Sequence, residues 1–491
     1  MHLVAIGGSD AGISAALRAR ELDPSADVTV VVADAYPNFS ICGIPYYVSG
    51  EVTHWSNLAH RTHADLEATG MALRLNTLAT AIDVPGHRLH LRAVDGGAGT
   101  VLPYDKLIVG TGALPAVPPI SGLADPGDLL APASHGDGLG PADGVHLLHS
   151  MGDTFAVMDT LNRESPASAI VVGAGYIGLE MAEGLTARGL KVTQIEMADQ
   201  VLPTVDPQLG ALVAAELATH GVEVLTRTAV RAVARADAGA TGRLRVEAAT
   251  TTSDGTTVAL DRYADLVLVV TGVRPDVRLA AAAGATLGTR GAIVVNERME
   301  TGLPDVYAAG DCVLTHHRLL GTTWLPLGTT AHKQGRVAGE NALGGDRTFA
   351  GSLGTQVVKI FDAVAARTGL REHEALAAGF TPATSQASPD DHKAYYPGAE
   401  PIAIRVTGDT TTGRLLGAQL VGRRGSEVAK RVDTYATALF HSMTVDALAD
   451  LDLSYTPPLG SPWDAVQIAA QTWTREQHLP AQRQGLQTAR G

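Results

Sequence analysis

An α/β chain with two separate βαβ units followed by a smaller α+β domain is what the sequence predicts, and three observations carry that expectation. Residues 2–34 read as a strand (LVAI), a glycine turn (GGSDAG), an Ala-rich helix (ISAALRAREL) and a second strand (VTVVVAD). Residues 169–196 repeat the plan with AIVV, GAGYIG, LEMAEGLTARG and KVTQIE. Residues 350–473 alternate strand and helix patterns (IAIRV, RLLGAQLVG, AKRVDTYATALFHSM) and hold no glycine-rich loop. Parallel strands need a long crossover, and the switch of apolar period from 2 to 3.6 across a glycine turn marks where it starts.

Composition sets the outer limits. At 491 residues the chain is long enough for about three domains. Its 37 Lys plus Arg stand against 51 Asp plus Glu, a net charge of -14 without long single-sign runs, so nucleic acid is not an expected partner. Apolar runs such as LVLVV (266–270) are strand-length, far short of the ~20 residues of a membrane span, so no membrane association is expected. The N-terminus enters a strand and a glycine turn directly, without the pattern of a targeting peptide. Two cysteines, Cys42 and Cys312, cannot staple a protein of this size; that suits a reducing cytoplasm and leaves a thiol free for chemistry.

Taken in order, the first loop keeps Gly7 and Gly12, with Ser9 at the middle glycine position and Asp34, two residues beyond the strand end, as the substitute ribose-binding acid. Residues 124–143, rich in Gly, Pro, Asp and Ala, read as a surface loop or insertion between domains. The second loop is complete: Gly173, Gly175 and Gly178 form G-x-G-x-x-G between a strand and a helix, where backbone amides take a pyrophosphate. Glu196 ends the next strand; a carboxylate there accepts from a ribose diol and repels a 2'-phosphate, which favours NADH over NADPH. Residues 243–270 read as an antiparallel meander closing on a buried strand, and residues 475–491 as a fraying tail. Scattered histidines, including His316 and His317, show no metal-ligand spacing, so no metal site is expected. His441 and Asp446 read as surface residues of one amphipathic helix. Two dinucleotide loops in one chain suggest a flavin together with a nicotinamide.

These stretches, together with CGIPYY (42–47), YDKLIVGTGALP (104–115), TGVRPD (271–276), VYAAGDC (306–312), PLGTTAHKQGRVAGEN (326–341) and LSYTPPLGSPWD (453–464), resemble the pyridine-nucleotide disulfide oxidoreductases. The resemblance is to their single-cysteine branch of CoA-disulfide reductases, NADH oxidases and NADH peroxidases. It implies two Rossmann-like dinucleotide-binding domains: an FAD domain of residues 1–118 and 272–345, and an NAD(P)H domain of residues 145–271 inserted in it. It implies further that residues 346–474 form a C-terminal α+β dimerisation domain of a homodimer. By the same resemblance Gly112, Gly310 and Asp311 join the FAD site, and Tyr176 covers the flavin until NADH displaces it.

Two-cysteine relatives close a disulfide through C-x-x-x-x-C, but position 47 here is Tyr, so the resemblance implies that Cys42 cycles alone. A lone thiol accepts electrons as a mixed disulfide with a small thiol or as a sulfenic acid. Its place at a helix start leads to the expectation of a lowered pKa. Tyr396 and Tyr455 match residues that reach across the dimer to protonate a departing thiolate, with Tyr395 close by. Three departures narrow the acceptor. Asp10 stands where peroxidases carry a histidine and must be protonated or hydrogen-bonded to replace it; Ile41 replaces a polar residue; and Glu21 stands on the first helix where CoA reductases tend to offer a positive charge to the CoA phosphates, with Arg18 and Arg20 to compensate. The expected activity is electron transfer from NADH through FAD and Cys42 to a small disulfide, CoA disulfide first. The alternatives are an NADH oxidase reducing dioxygen and a redox-sensing flavoprotein without fast turnover.

Overall fold

The computed structural model describes residues 1–124 and 138–488, with side chains as far as residue 477. Most of the loop expected over 124–143 therefore lies outside the described residues; its edges are joined by a bridge between Leu123 and Leu139.

Two five-stranded parallel sheets form the first part of the molecule. One runs in the order Val306–Ala308, Lys106–Val109, His2–Ile6, Asp27–Val31, Ala72–Arg74. It draws its edge strand from a segment some two hundred residues downstream of its neighbour, which pairs Val306 with Leu107. The other runs Glu223–Leu225, Lys191–Ile195, Ser168–Val172, Leu266–Val269, Val145–Leu147. In both, the central strand is a β-branched and aliphatic run buried on both faces, as covered parallel strands are. Each sheet carries an antiparallel three-stranded meander, Thr77–Asp83 to Thr100–Pro103 on the first and Thr228–Arg235 to Thr257–Ala264 on the second. Ala113–Pro115 and Val273–Pro275 pair antiparallel, so the chain leaves the first unit and returns to it side by side.

The C-terminal part is a five-stranded antiparallel sheet from Gln356–Ile360 to Leu415–Arg423, covered by the helices Val428–Phe440 and Ala465–Thr488. Trp473 and Tyr435 anchor those helices in the core, and Gly408 lies directly under the Trp473 ring. The last helix continues past residue 474, so the backbone expected to fray from 475 is helical to Thr488. His441 and Asp446 do not share one helix: Ser442 takes a left-handed φ of 55° and splits Val428–Phe440 from Val445–Ala449. Among the described residues no helix is long and apolar enough to cross a membrane.

Candidate functional site

The two glycine loops solve one steric problem in the same way. Gly7 and Gly173 adopt φ of +112° and +105°, which residues with a Cβ rarely reach. A Cβ at Gly12 would lie 2.1 Å from the Gly7 carbonyl oxygen, and one at Gly178 would lie 2.0 Å from that of Gly173. The helices Asp10–Leu22 and Tyr176–Ala187 can therefore start hard against their strands only because these positions are glycine. At the middle position the loops differ. A Cβ on Gly175 would meet nothing within 4 Å, which leaves the Tyr176–Ala187 N-terminus open to a pyrophosphate, while Ser9 sits at the N-cap position of the first helix without a side-chain capping bond.

The acids expected to take ribose are placed differently. Glu196 Oε2 accepts the Ala174 amide at 2.6 Å and its Oε1 the Ala198 amide at 2.8 Å, so the carboxylate pins the glycine loop and keeps lone pairs for a diol. Asp34 is exposed, accepts the Tyr36 amide at 2.8 Å, and has its pKa raised by partial burial. Gly112 has a φ of +69° and accepts the Asp276 amide. Gly310 has a φ of +90° and donates its amide to Gln334 at 3.0 Å; a Cβ there would press on Ala11. Burial raises Asp311 to about 6, with Asp10 adding to the effect and the Leu327 amide opposing it. Tyr176 heads its helix, and its hydroxyl is bonded by Thr204 at 3.2 Å.

Cys42 occupies the single turn Ile41–Gly43 directly ahead of the helix Ile44–Ser49. That helix packs on Tyr176–Ala187 through Gly184, where a Cβ would stand 3.2 Å from the Pro45 carbonyl oxygen. The cysteine is exposed to solvent, and the surrounding protein partly desolvates it. Its pKa is raised rather than lowered, in contrast to the expectation from its helix-start position. Burial is the largest cause, and the carboxylates of Glu180, Asp10 and Asp311 add to it; a six-residue helix offers too small a dipole to outweigh them. Cys312 is fully buried with its Sγ toward the Val109 and Ala309 carbonyls, and burial pushes it to about 11. Both thiols are free.

Sequence reasoning missed the acid beside the thiol. Glu180 accepts the Tyr46 hydroxyl at 3.0 Å, and burial raises it to about 7, so it is half-charged near neutrality. Lys359 from the C-terminal sheet pairs with Glu183 and sits 5.5 Å over the Tyr46 ring. The GYIGLE string held the signal, since Glu180 lies one turn after Tyr176 on the same helix face.

Asp10 is the first residue of its helix and meets His332 and His60, which come from distant parts of the chain. Arg18 pairs with both Glu340 and Glu21, and Arg336 also reaches Glu21, so Glu21 is offset inside the fold, by Arg18 as expected, while Arg20 is taken up by the Thr69 and Ala26 carbonyls. Tyr396 and Tyr455 are 43% and 44% exposed, and Tyr395 bonds Tyr455, so all three lie on an outer face of the C-terminal part.

Two dinucleotide-type glycine loops in one chain, with an exposed thiol near carboxylates of both units, define an oxidoreductase architecture. The chain belongs to the pyridine nucleotide-disulphide oxidoreductase family: that family's model matches residues 1–335, and its dimerisation-domain model matches residues 355–465. The second match supports a homodimer. Among curated relatives, the chain is 33% identical to the CoA-dependent NAD(P)H sulfur oxidoreductase of Pyrococcus abyssi, over 95% of this chain and 97% of the relative. It is 32% identical to the NADH oxidase of Methanocaldococcus jannaschii, over 96% and 98%. Among solved structures, the NAD-dependent persulfide reductase from A. fulgidus superposes with a TM-score of 0.86 at 36% identity, covering 97% of this chain and 84% of that one.

Proposed function

We propose that the protein is an FAD-dependent NADH oxidoreductase that reduces a small disulfide, CoA disulfide in the first instance, through Cys42 in a reducing cytoplasm. The observation that carries the reading is the contrast between the two thiols: one is exposed to solvent near carboxylates of both glycine-loop units, and the other is sealed in the core. The loop residues fit the cofactors. Gly7, Gly12, Gly112, Gly310 and Asp311 would hold FAD, and Gly173, Gly175, Gly178 and Glu196 would hold NADH with Tyr176 at the boundary. FAD supplies a two-electron relay between nicotinamide and thiol.

The chain's own part follows from Cys42. Its thiolate attacks one sulfur of the acceptor, forming a mixed disulfide and releasing the other sulfur as a thiolate. Two electrons originating in NADH then cleave the mixed disulfide, regenerate the Cys42 thiolate and release the second thiol after it gains a proton. Per turnover, NADH, one proton and one disulfide give NAD+ and two thiols. Tyr396 and Tyr455 of the second copy supply the proton to a departing thiolate; Glu180, half-protonated near neutrality, is poised beside Tyr46 as a proton store.

The family also contains NADH oxidases, and the M. jannaschii relative bears that name, so dioxygen is the second acceptor reading. Anaerobic reduction with NADH, followed by separate addition of CoA disulfide, other small disulfides, peroxide or air, decides between them. Disulfide-driven reoxidation lost at least ~100-fold in Cys42→Ser supports the proposal. Full turnover of that variant with every disulfide overturns it, and reoxidation by air alone replaces it with the oxidase.

A further inference from the structure

Asp10, His60 and His332 place their ligating atoms within 4.8 Å of one another. We infer that these three side chains form an open binding site for a borderline divalent transition cation such as Zn2+. Nothing in the spacing of the residues along the chain announces it, because they stand at the start of one helix, in a loop and on a second helix.

The backbone builds the cluster. On the helix Gly328–Ala342, Gly335 and Gly339 let the chain approach Asp10–Leu22 until a Cβ would be 2.3 Å from the Ala11 and Ala15 carbonyl oxygens. With Gly335 seated on Ala11, the residue one turn earlier, His332, falls beside Asp10 and Ser14. Ser14 Oγ bonds His332 Nδ1 at 2.8 Å, which fixes the ring and leaves Nε2 aimed at Asp10 Oδ1, 3.3 Å away. His60 is brought in by a ladder of main-chain bonds, Asn38 amide to Gly8 carbonyl at 2.6 Å and His60 amide to Asn38 carbonyl at 2.9 Å.

Two features fit a cation site. A charge-assisted N–H···O bond settles at about 2.7–2.9 Å, whereas two ligands on a tetrahedral cation with arms of about 2.0–2.1 Å stand roughly 3.4 Å apart. The 3.3 Å separation of His332 and Asp10 fits the second distance. The hydroxyl on the far ring nitrogen is also the arrangement that orients metal-bound histidines. His60 is exposed, so a small side-chain rotation closes the remaining gap, and solvent or an anionic ligand can complete the coordination. Two imidazoles and one carboxylate suit Zn2+, Co2+, Ni2+ or Fe2+ over Ca2+ or Mg2+.

The test titrates Zn2+ into chelator-treated, flavin-loaded protein by calorimetry and equilibrium dialysis, with X-ray absorption on the product. The expected result is one Zn2+ per chain with a nitrogen and oxygen shell, at least ~10-fold weaker binding in His60→Gln and in His332→Gln, and unchanged binding in Cys42→Ser. His60→Gln alters an exposed side chain and so tests the site without threatening the fold. Substoichiometric binding at 100-fold excess Zn2+, unchanged affinity in both histidine variants, or loss of binding in Cys42→Ser each overturns the inference. The readout needs no electron acceptor, so it stands or falls apart from the proposed reaction.

Discussion

At the scale of single residues, carboxylates rather than basic groups dominate the surroundings of Cys42, and this has a measurable sign. Glu180, Asp10 and Asp311 all raise the thiol's pKa, so replacing Glu180 by Gln removes one negative charge and moves the alkylation profile of Cys42 to lower pH. Iodoacetamide rates between pH 6 and 10 check this; a profile that stays put or moves upward refutes it. Because Cys312 has no exposed surface, native protein is expected to show one fast-reacting thiol per chain, and two only after denaturation. A thiol-reagent count in the presence and absence of guanidinium measures it.

At the scale of elements, close helix contacts and one ion-pair cluster set the positions of the site groups. Gly335→Ala puts a methyl group 2.3 Å from the Ala11 carbonyl oxygen, and the helices Asp10–Leu22 and Gly328–Ala342 must separate to admit it. We expect a cost of about 1–3 kcal/mol and faster loss of flavin on heating, read by the fluorescence of released cofactor. The strand Ala363–Gly369 carries Arg367, which bonds the Thr204 carbonyl, while Thr204 bonds the Tyr176 hydroxyl. Arg367 is held by Glu374, whose carboxyl sits at about 2: burial acts to raise it, and the hydrogen bonds and charges of Arg367 and Arg371 override that. The folded pKa is depressed, so this cluster's stabilisation is complete above the unfolded value near 4.5 and is lost as pH falls toward 2. The stability gap between wild type and Glu374→Gln should therefore be on the order of 2–3 kcal/mol at pH 6 and narrow steadily below pH 4, as denaturant titrations at several pH values would show.

At the scale of the whole molecule, the proposed role of the exposed Tyr396 and Tyr455 rests on a pair of chains. A homodimer of twice 50.8 kDa is expected in sedimentation. If the tyrosines serve the opposite chain, a heterodimer of a Cys42→Ser protomer and a Tyr396→Phe/Tyr455→Phe protomer keeps one complete site and about half the activity of wild type. If they serve their own chain, that heterodimer is no faster than the tyrosine variant alone.

Both glycine loops and the order of strands and helices around them were readable from the chain, because local backbone sterics demand glycine at those positions, and the contrast between a lone cysteine at 42 and tyrosine at 47 is a matter of sequence alone. The elevated thiol pKa, the commitment of Arg18 and Arg20, and the meeting of Asp10, His60 and His332 were not readable. Glycine conformation and strand period act over a few residues, so the sequence determines them. Burial, charge proximity and ligand geometry depend on which distant segments come within a few ångströms, and only the packing of helix on helix and sheet beside sheet decided those.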